Sequence, residues 1–201
     1  MRKLVIIGAS GHGKVVADIA EKNEYKNIVF LDDSELAECA GFPVVGRSTD
    51  AWLYKETSEF VIAIGKADIR QKIQESLKGY EFAVLVHPNA SVSRNVEIGK
   101  GTVVMAGAVI NSNSVVGRGC IINTGASIDH DDKIGDYVHI SVGAHIAGSV
   151  TVGSRTWLGI GSCVINNLYI CSDCMIGAGA VVIRDINERG TYVGNPARRI
   201  R

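Results

Sequence analysis

The chain has 201 residues, with 21 basic side chains balanced by 21 acidic ones. That balance excludes the one-signed field by which nucleic acid or an anionic membrane surface is bound. The opening apolar run, residues 4–7, is too short for a signal peptide or a membrane span, so a cytoplasmic protein is expected.

In chain order, residues 4–7 form an apolar β run that ends in Gly8-Ala-Ser-Gly11-His12-Gly13. Residues 14–22 follow as an amphipathic helix with apolar positions at 15, 16, 19 and 20. Residues 28–31 are a second strand, closed by Asp32 and Asp33. Strand, glycine turn, helix and strand make a βαβ unit with a parallel sheet. Residues 60–64, followed by Gly65, give another strand end. Residues 67–78 read as a helix with Ile69, Ile73 and Leu77 on one stripe, and residues 82–86 run into His87-Pro88.

The glycine turn is a ligand candidate, because strand-to-helix turns present backbone N–H groups at a helix N-terminus, where anions bind. Its spacing is G-x-x-G-x-G, displaced from the dinucleotide pattern G-x-G-x-x-G. Two carboxylates at the end of the second strand stand where a doubly wound fold meets a ribose or base. A nucleotide or nucleotide sugar is therefore favoured over a redox dinucleotide and over a purely structural turn.

From Val86 to Val182 every sixth residue is aliphatic, seventeen positions without a break. Chance puts a branched aliphatic residue at about a quarter of positions, and a period of six fits strands and not helices. A small or aliphatic residue often falls four later, as at Ala90, Ala108, Cys120, Ala126, Ala144, Ser162 and Ala180. The reading is a parallel β-helix in which three hexapeptides close each triangular coil around an aliphatic axis. One coil is then eighteen residues. Cys174 occupies one of the small-residue slots, which makes Cys171-x-x-Cys174 a core feature rather than a metal or redox pair. From Ala178 the chain leaves the repeat, with a turn at 187–190 and an extended, basic-ended tail over 192–201.

The sides of such a coil carry small or polar residues, so three histidines within about one coil's length stand out: His130, His139 and His145. His130 lies among Asp129, Asp131 and Asp132, and a carboxylate beside an imidazole raises its basicity, as suits a general base. These carboxylates are expected at a corner or outer face, buried only by a neighbouring chain. By the coil length, Gly148 falls one coil along from His130, and Trp157 one coil along from His139. The ligand spacing matches no common metal motif, and no metal is expected.

The six-residue repeat, the opening Gly8-Ala-Ser-Gly-His-Gly13 and the segment Ile128-Asp-His-Asp131 resemble the hexapeptide-repeat sugar acetyltransferases over essentially the whole chain. Within them the likeness is to the bacterial nucleotide-aminosugar N-acetyltransferases of the bacillosamine type, with sialic acid O-acetyltransferases as relatives. The resemblance implies an α/β, Rossmann-like nucleotide-sugar-binding domain over 1–85. It implies a left-handed parallel β-helix acetyltransferase domain with a short C-terminal tail over 86–201. The hand comes from the resemblance alone, since the general crossover rule favours the other. Acetyl-CoA is the implied donor co-substrate, a UDP-4-amino-4,6-dideoxy-N-acetylhexosamine the implied acceptor, and a homotrimer with active sites between protomers the implied assembly. Carried over by residue, His130 is the general base and Asp131 its supporting carboxylate, where the family commonly has glutamate. His139, Gly148, Ile160 and Ala178 would contact acetyl-CoA, and Ser10, Gly11, His12, Asp32, Asp33 and Gly65 would hold the nucleotide sugar. O-acetylation of a sialic acid or related sugar, and a non-catalytic nucleotide-sugar-binding scaffold, are the alternatives.

Overall fold

The computed structural model describes residues 3–200, which fall into two compact units, one up to Pro88 and one from Asn89 onward. In the first unit Lys3–Ile7 is the central strand of a parallel sheet, between Asn27–Leu31 and Ser58–Ile62. The chain therefore leaves the central strand in one direction and later returns on its other side. That reversal is the topological switch point of a doubly wound sheet, where ligands bind beyond the strand C-termini. One face of the sheet packs Val5, Ile7, Val29, Leu31, Phe60 and Ile62 against Ile73, Leu77 and Tyr80.

Several boundaries differ from the sequence reading. The first helix is Gly11–Lys22, starting three residues early, because the Lys14 amide already bonds to the Ser10 carbonyl at 3.1 Å. The second helix is Ala67–Ser76, and it ends before Gly79, whose φ of 83° no helix can hold. Ile69 is 39% exposed, and the buried flank of this helix carries Arg70 and Gln74 beside Ile73. Of residues 82–86 only Leu85–Val86 is a strand, although Phe82 makes an isolated parallel bridge to Phe60.

The second unit is a left-handed parallel β-helix whose two-residue strands pair with the strands eighteen residues before and after. From Val104 to Val182 every sixth residue is buried, none more than 3% exposed. The corners show the companion rule. Every sixth residue from Gly101 to Gly179 has a positive φ, between 59° and 82°. Glycine accepts that conformation freely, and Asn and Asp better than other side chains. Asp131 occupies one such corner with φ 62°, so the short carboxylate suits the backbone there.

The tail is more ordered than an extended end. Gly190–Val193 pairs in parallel with Cys174–Ile176, and Arg198–Arg199 pairs antiparallel with Tyr192–Val193. Ile176 faces Tyr192, an offset of sixteen instead of eighteen, which is why a six-residue period does not reveal the pairing. Cys174 is buried in its slot, 3.5 Å from the Cys171 sulfur, and burial pushes its thiol up to about 12. Such a thiol is unreactive at neutral pH.

Candidate active site

His130 sits on the corner that follows Ser127–Ile128, with its side chain 58% exposed. Its Nδ1 lies 2.7 Å from Asp131 Oδ2, a bond that fixes Nδ1 as the protonated nitrogen and leaves the Nε2 lone pair available. That hydrogen bond, and secondly the field of Asp129, raise the His130 pKa above its ordinary value. The same bond, with a second from Asn113 at 3.3 Å, holds Asp131 below the usual carboxylate range. Asp129 is held low by Asn111, 2.9 Å away, and by the His130 amide, so its charge persists beside the imidazole. Asn111 and Asn113 were not singled out in the sequence. Their signal was available, because each stands one coil before the aspartate it supports.

Asp132 plays a different part from its neighbours. It fills the buried slot four residues after Ile128 and is fully enclosed within its own chain, contrary to the expectation that a second chain would be needed. Oδ1 accepts from the Val150 amide at 2.7 Å and Oδ2 from the Asp129 amide at 3.0 Å. Burial raises its carboxyl to about 7, against the lowering effect of those two amides. Asp132→Ala strands both buried donors and is expected to cost about 2–4 kcal/mol, read as a lower melting temperature of the unit. An unchanged melting temperature would show that the two bonds contribute nothing.

Gly148 lies one coil beyond His130, as the coil length requires, and its backbone passes directly beneath the ring. A Cβ there would stand 2.6 Å from both His130 Cε1 and Nε2. Among the described residues the Gly148 amide donates no hydrogen bond, whereas the His130 amide is taken by Asp129 and the Thr124 amide by Asn123. The Ile160 and Ala178 amides also donate none, as does Val142, and all three belong to the corner column that follows the His139 side of the coil. Ile160 is 62% exposed. A line of open corner amides one coil apart can bind the carbonyls of an extended ligand.

The three histidines do not converge. His139 is outward on a neighbouring side, stacked on Trp157 with ring centroids 4.7 Å apart, and its Nε2 is 3.2 Å from Asn123. His145 is on the side between the two corner columns, with Nδ1 2.8 Å from Ser127 Oγ.

In the first unit the sequence-derived residues gather at the switch point. Gly8 and Gly13 are explained by packing, since a Cβ would stand 2.8 Å from the Ala63 carbonyl oxygen and 2.3 Å from that of Gly8, respectively. Gly11 and Gly65 have nothing within 4 Å of a Cβ, so packing does not demand glycine at either. Ser10 is exposed, and its side chain makes no capping bond. Asp32 and Asp33 are tied within the chain. Asp32 accepts from the Ala9 amide at 2.6 Å and from Ser34; Asp33 accepts from Ser48. Burial pushes Asp32 upward, but the Ala9 and Ser34 bonds outweigh it and hold the carboxyl low. Arg70 was missed. It is 1% exposed and donates to the carbonyls of Ile64 at 2.7 Å and Gly65 at 2.9 Å. Its position on a helix otherwise rich in exposed polar residues hid it.

Among the described residues no cluster of three His, Cys, Asp or Glu side chains is arranged to hold a metal, and no helix is long and apolar enough to cross a membrane.

Compared with known proteins, residues 3–77 match the PglD N-terminal domain. A segment of 117 residues is 36% identical to the UDP-N-acetylbacillosamine N-acetyltransferase of Bacillus subtilis (strain 168). That segment is 53% of this chain and 52% of the relative, so the match spans about half the curated protein. The acetyltransferase domain of PglB from Neisseria gonorrhoeae FA1090 is similar over 100% of both chains, with 42% identity and a TM-score of 0.97. A structure of that domain in complex with acetyl coenzyme A gives 43% identity and 0.95 over 99% of both chains. PerB from Caulobacter crescentus, in complex with CoA and GDP-perosamine, gives 36% identity and 0.95 over 100% of this chain and 98% of that one.

Proposed function

Because the chain belongs to the hexapeptide-repeat sugar acetyltransferases, we propose that it transfers the acetyl group of acetyl-CoA to the 4-amine of a UDP-4-amino-4,6-dideoxy-N-acetylhexosamine. The observation that carries this reading is the corner where His130, bonded to Asp131 through Nδ1, rests over the open amide of Gly148. The similar structures that hold acetyl coenzyme A, and CoA with GDP-perosamine, support donor and acceptor classes of this kind.

The uncharged sugar amine attacks the thioester carbonyl carbon, and its proton passes to His130 Nε2. Negative charge grows on the carbonyl oxygen, and the Gly148 amide is the donor for it. The carbon–sulfur bond then breaks, the acetyl group stays on nitrogen as an amide, and the imidazolium returns its proton to the departing thiolate. No covalent enzyme intermediate is needed. Ile160 and Ala178 hold the donor's pantetheine arm through their amides, and His139 packs beside it. Ser10, Gly11, His12, Asp32, Asp33 and Gly65 form the nucleotide-sugar site of residues 1–85. The chain works as a homotrimer in the cytoplasm, its active sites completed by neighbouring copies.

Asp131→Asn can keep an acceptor for the Nδ1 proton but removes the negative charge that makes the bond raise the His130 pKa, so the imidazole stays unprotonated to lower pH and becomes a weaker base. The acid limb of the kcat/KM profile is expected to move to lower pH, with a lower plateau. A limb that does not move would remove Asp131 from the tuning of His130.

GDP-perosamine in a 36% identical structure favours a second reading, in which the same amine chemistry serves a GDP-linked sugar. The test is release of free thiol from acetyl-CoA with a UDP-4-amino sugar, GDP-perosamine, a sialic acid, or no acceptor. Release with the UDP sugar supports the proposal, and release with GDP-perosamine alone selects the second reading. Release only with sialic acid would overturn both and point to O-acetylation. No release with any of them would leave the scaffold alternative.

A further inference from the structure

Thr102, Ser114 and Thr156 fill interior slots of the coil, and their hydroxyls bond in one way. Each accepts from the slot amide one coil later, at Cys120, Asp132 and Cys174, over 3.0, 3.1 and 3.2 Å. Each donates to the carbonyl three residues before that amide, at Gly117, Asp129 and Cys171. These hydroxyls therefore serve the following coil.

Asp132 departs from this pattern. Its Oδ1 takes the slot amide one coil later, that of Val150, as a hydroxyl would, at 2.7 Å. A carboxylate has no proton to give a carbonyl. Its Oδ2 turns back instead to the Asp129 amide at 3.0 Å, beside that amide's ladder bond to the Ile146 carbonyl at 3.2 Å. Asp132 is wholly buried, and burying a carboxylate is costly even where both oxygens are matched. A serine or threonine closes other coils at less cost, so what the carboxylate adds is the tie to its own corner. That corner carries His130, one residue after Asp129. The other oxygen is held at Val150, two residues after Gly148, and the Ser149 amide meets the His130 carbonyl at 2.9 Å. One planar group thus fixes the backbone entering the His130 corner against the backbone leaving the Gly148 corner. Ser114 grips the same corner from the coil before, through the Asp129 carbonyl and the Asp132 amide.

We propose that Asp132 is a positioning residue for acetyl transfer, setting His130 at its working distance from the Gly148 amide. This rests on the reading of His130 as the base. Being enclosed, Asp132 meets no substrate itself and acts through the corner.

The test is steady-state kinetics of the full chain at about pH 8, above the Asp132 value of about 7. Acetyl-CoA and the UDP-4-amino-4,6-dideoxy-N-acetylhexosamine are both varied. Asp132→Ser keeps an acceptor for Val150, as Ser114 does for Asp132, and loses the tie to Asp129. Asp132→Asn keeps the size, but whichever way its amide is turned, an N–H faces one of the two backbone N–H groups. Each is expected to lower kcat about tenfold, with both KM values within about twofold of wild type. In a His130→Ala background the same substitutions are expected to change the residual rate by less than about twofold, because the group they would misplace is gone. Wild-type kcat in both folded variants would overturn the proposal, as would a loss confined to KM. A tenfold loss that persists beside His130→Ala would also overturn it, since Asp132 would then serve the coil and not the base. If neither Asp132 variant folds, Ser114→Ala is read in their place. It releases the same corner from the other side, and wild-type kcat there overturns the proposal. Unchanged turnover in His130→Ala alone removes the base and this proposal with it. Impaired His130→Ala beside fully active Asp132 variants leaves the base in place, and only the role of Asp132 fails. If wild type does not acetylate the UDP sugar, GDP-perosamine takes its place as acceptor. With no turnover of either, acetyl transfer to an amino sugar fails and the proposal with it.

Discussion

Replacing His130 by alanine is expected to lower kcat by about 10²–10⁴-fold, the usual share of a general base, with both KM values little changed. The size follows from the site. His130 is the one imidazole on its corner, its Nδ1 proton is committed to Asp131, and Nε2 is left with a lone pair that can accept a proton. His139 is stacked on Trp157 on another side of the coil, and His145, on the side that leads into the His130 corner column, is bonded to Ser127, so neither sits beside Asp131 to replace it. Because the ring is largely exposed and absent from the buried core, the variant should fold as wild type does. Steady-state kinetics with both substrates varied provide the check. Turnover unchanged in a folded His130→Ala protein would remove this histidine from the mechanism.

Gly148→Ala is expected to have the second-largest effect. The new methyl would stand 2.6 Å from two atoms of the His130 ring, well inside any real contact. The ring is the movable partner, so the coil survives and the imidazole shifts. A displacement of about 1 Å at a reacting group can cost on the order of 10²-fold in rate, and the methyl also crowds the amide proposed to meet the developing oxyanion. The loss should therefore appear in kcat, with the melting temperature close to wild type. Activity near wild type would mean that the ring and the Gly148 backbone do not work together. Collapse of the fold would mean that glycine is needed at this corner for packing alone.

These two residues also show what a sequence can disclose. A strict six-residue period fixes which residues share a column, so Gly148 beneath His130 and Trp157 beside His139 follow from counting eighteen. The same counting marks Asp132 as interior, because it occupies the slot held by Ala126 and Ala144 elsewhere, and it marks Asn111 and Asn113 as partners of the corner aspartates. Composition alone conceals this by making Asp129, Asp131 and Asp132 look equivalent. Where the period fails, legibility fails too. The pairing of Gly190–Val193 uses an offset of sixteen and reads in sequence as a loose tail. In the first unit there is no repeat to count. The glycine turn was visible, but the burial of Arg70 depends on contacts between a helix and a strand-end turn far from it in sequence. The bonds of Asp33 to Ser48, fifteen residues away, were invisible for the same reason.

The most direct test of the account is identification of the product. The protein would be incubated with acetyl-CoA and a UDP-4-amino-4,6-dideoxy-N-acetylhexosamine, and the nucleotide sugar examined by mass spectrometry before and after hydroxylamine. The account predicts one added acetyl group that survives hydroxylamine, as an amide does, and that fails to form with His130→Ala. An acetyl group removed by hydroxylamine would be an ester and would contradict transfer to the amine. An unmodified sugar, with acetyl-CoA intact, would contradict the acceptor as well.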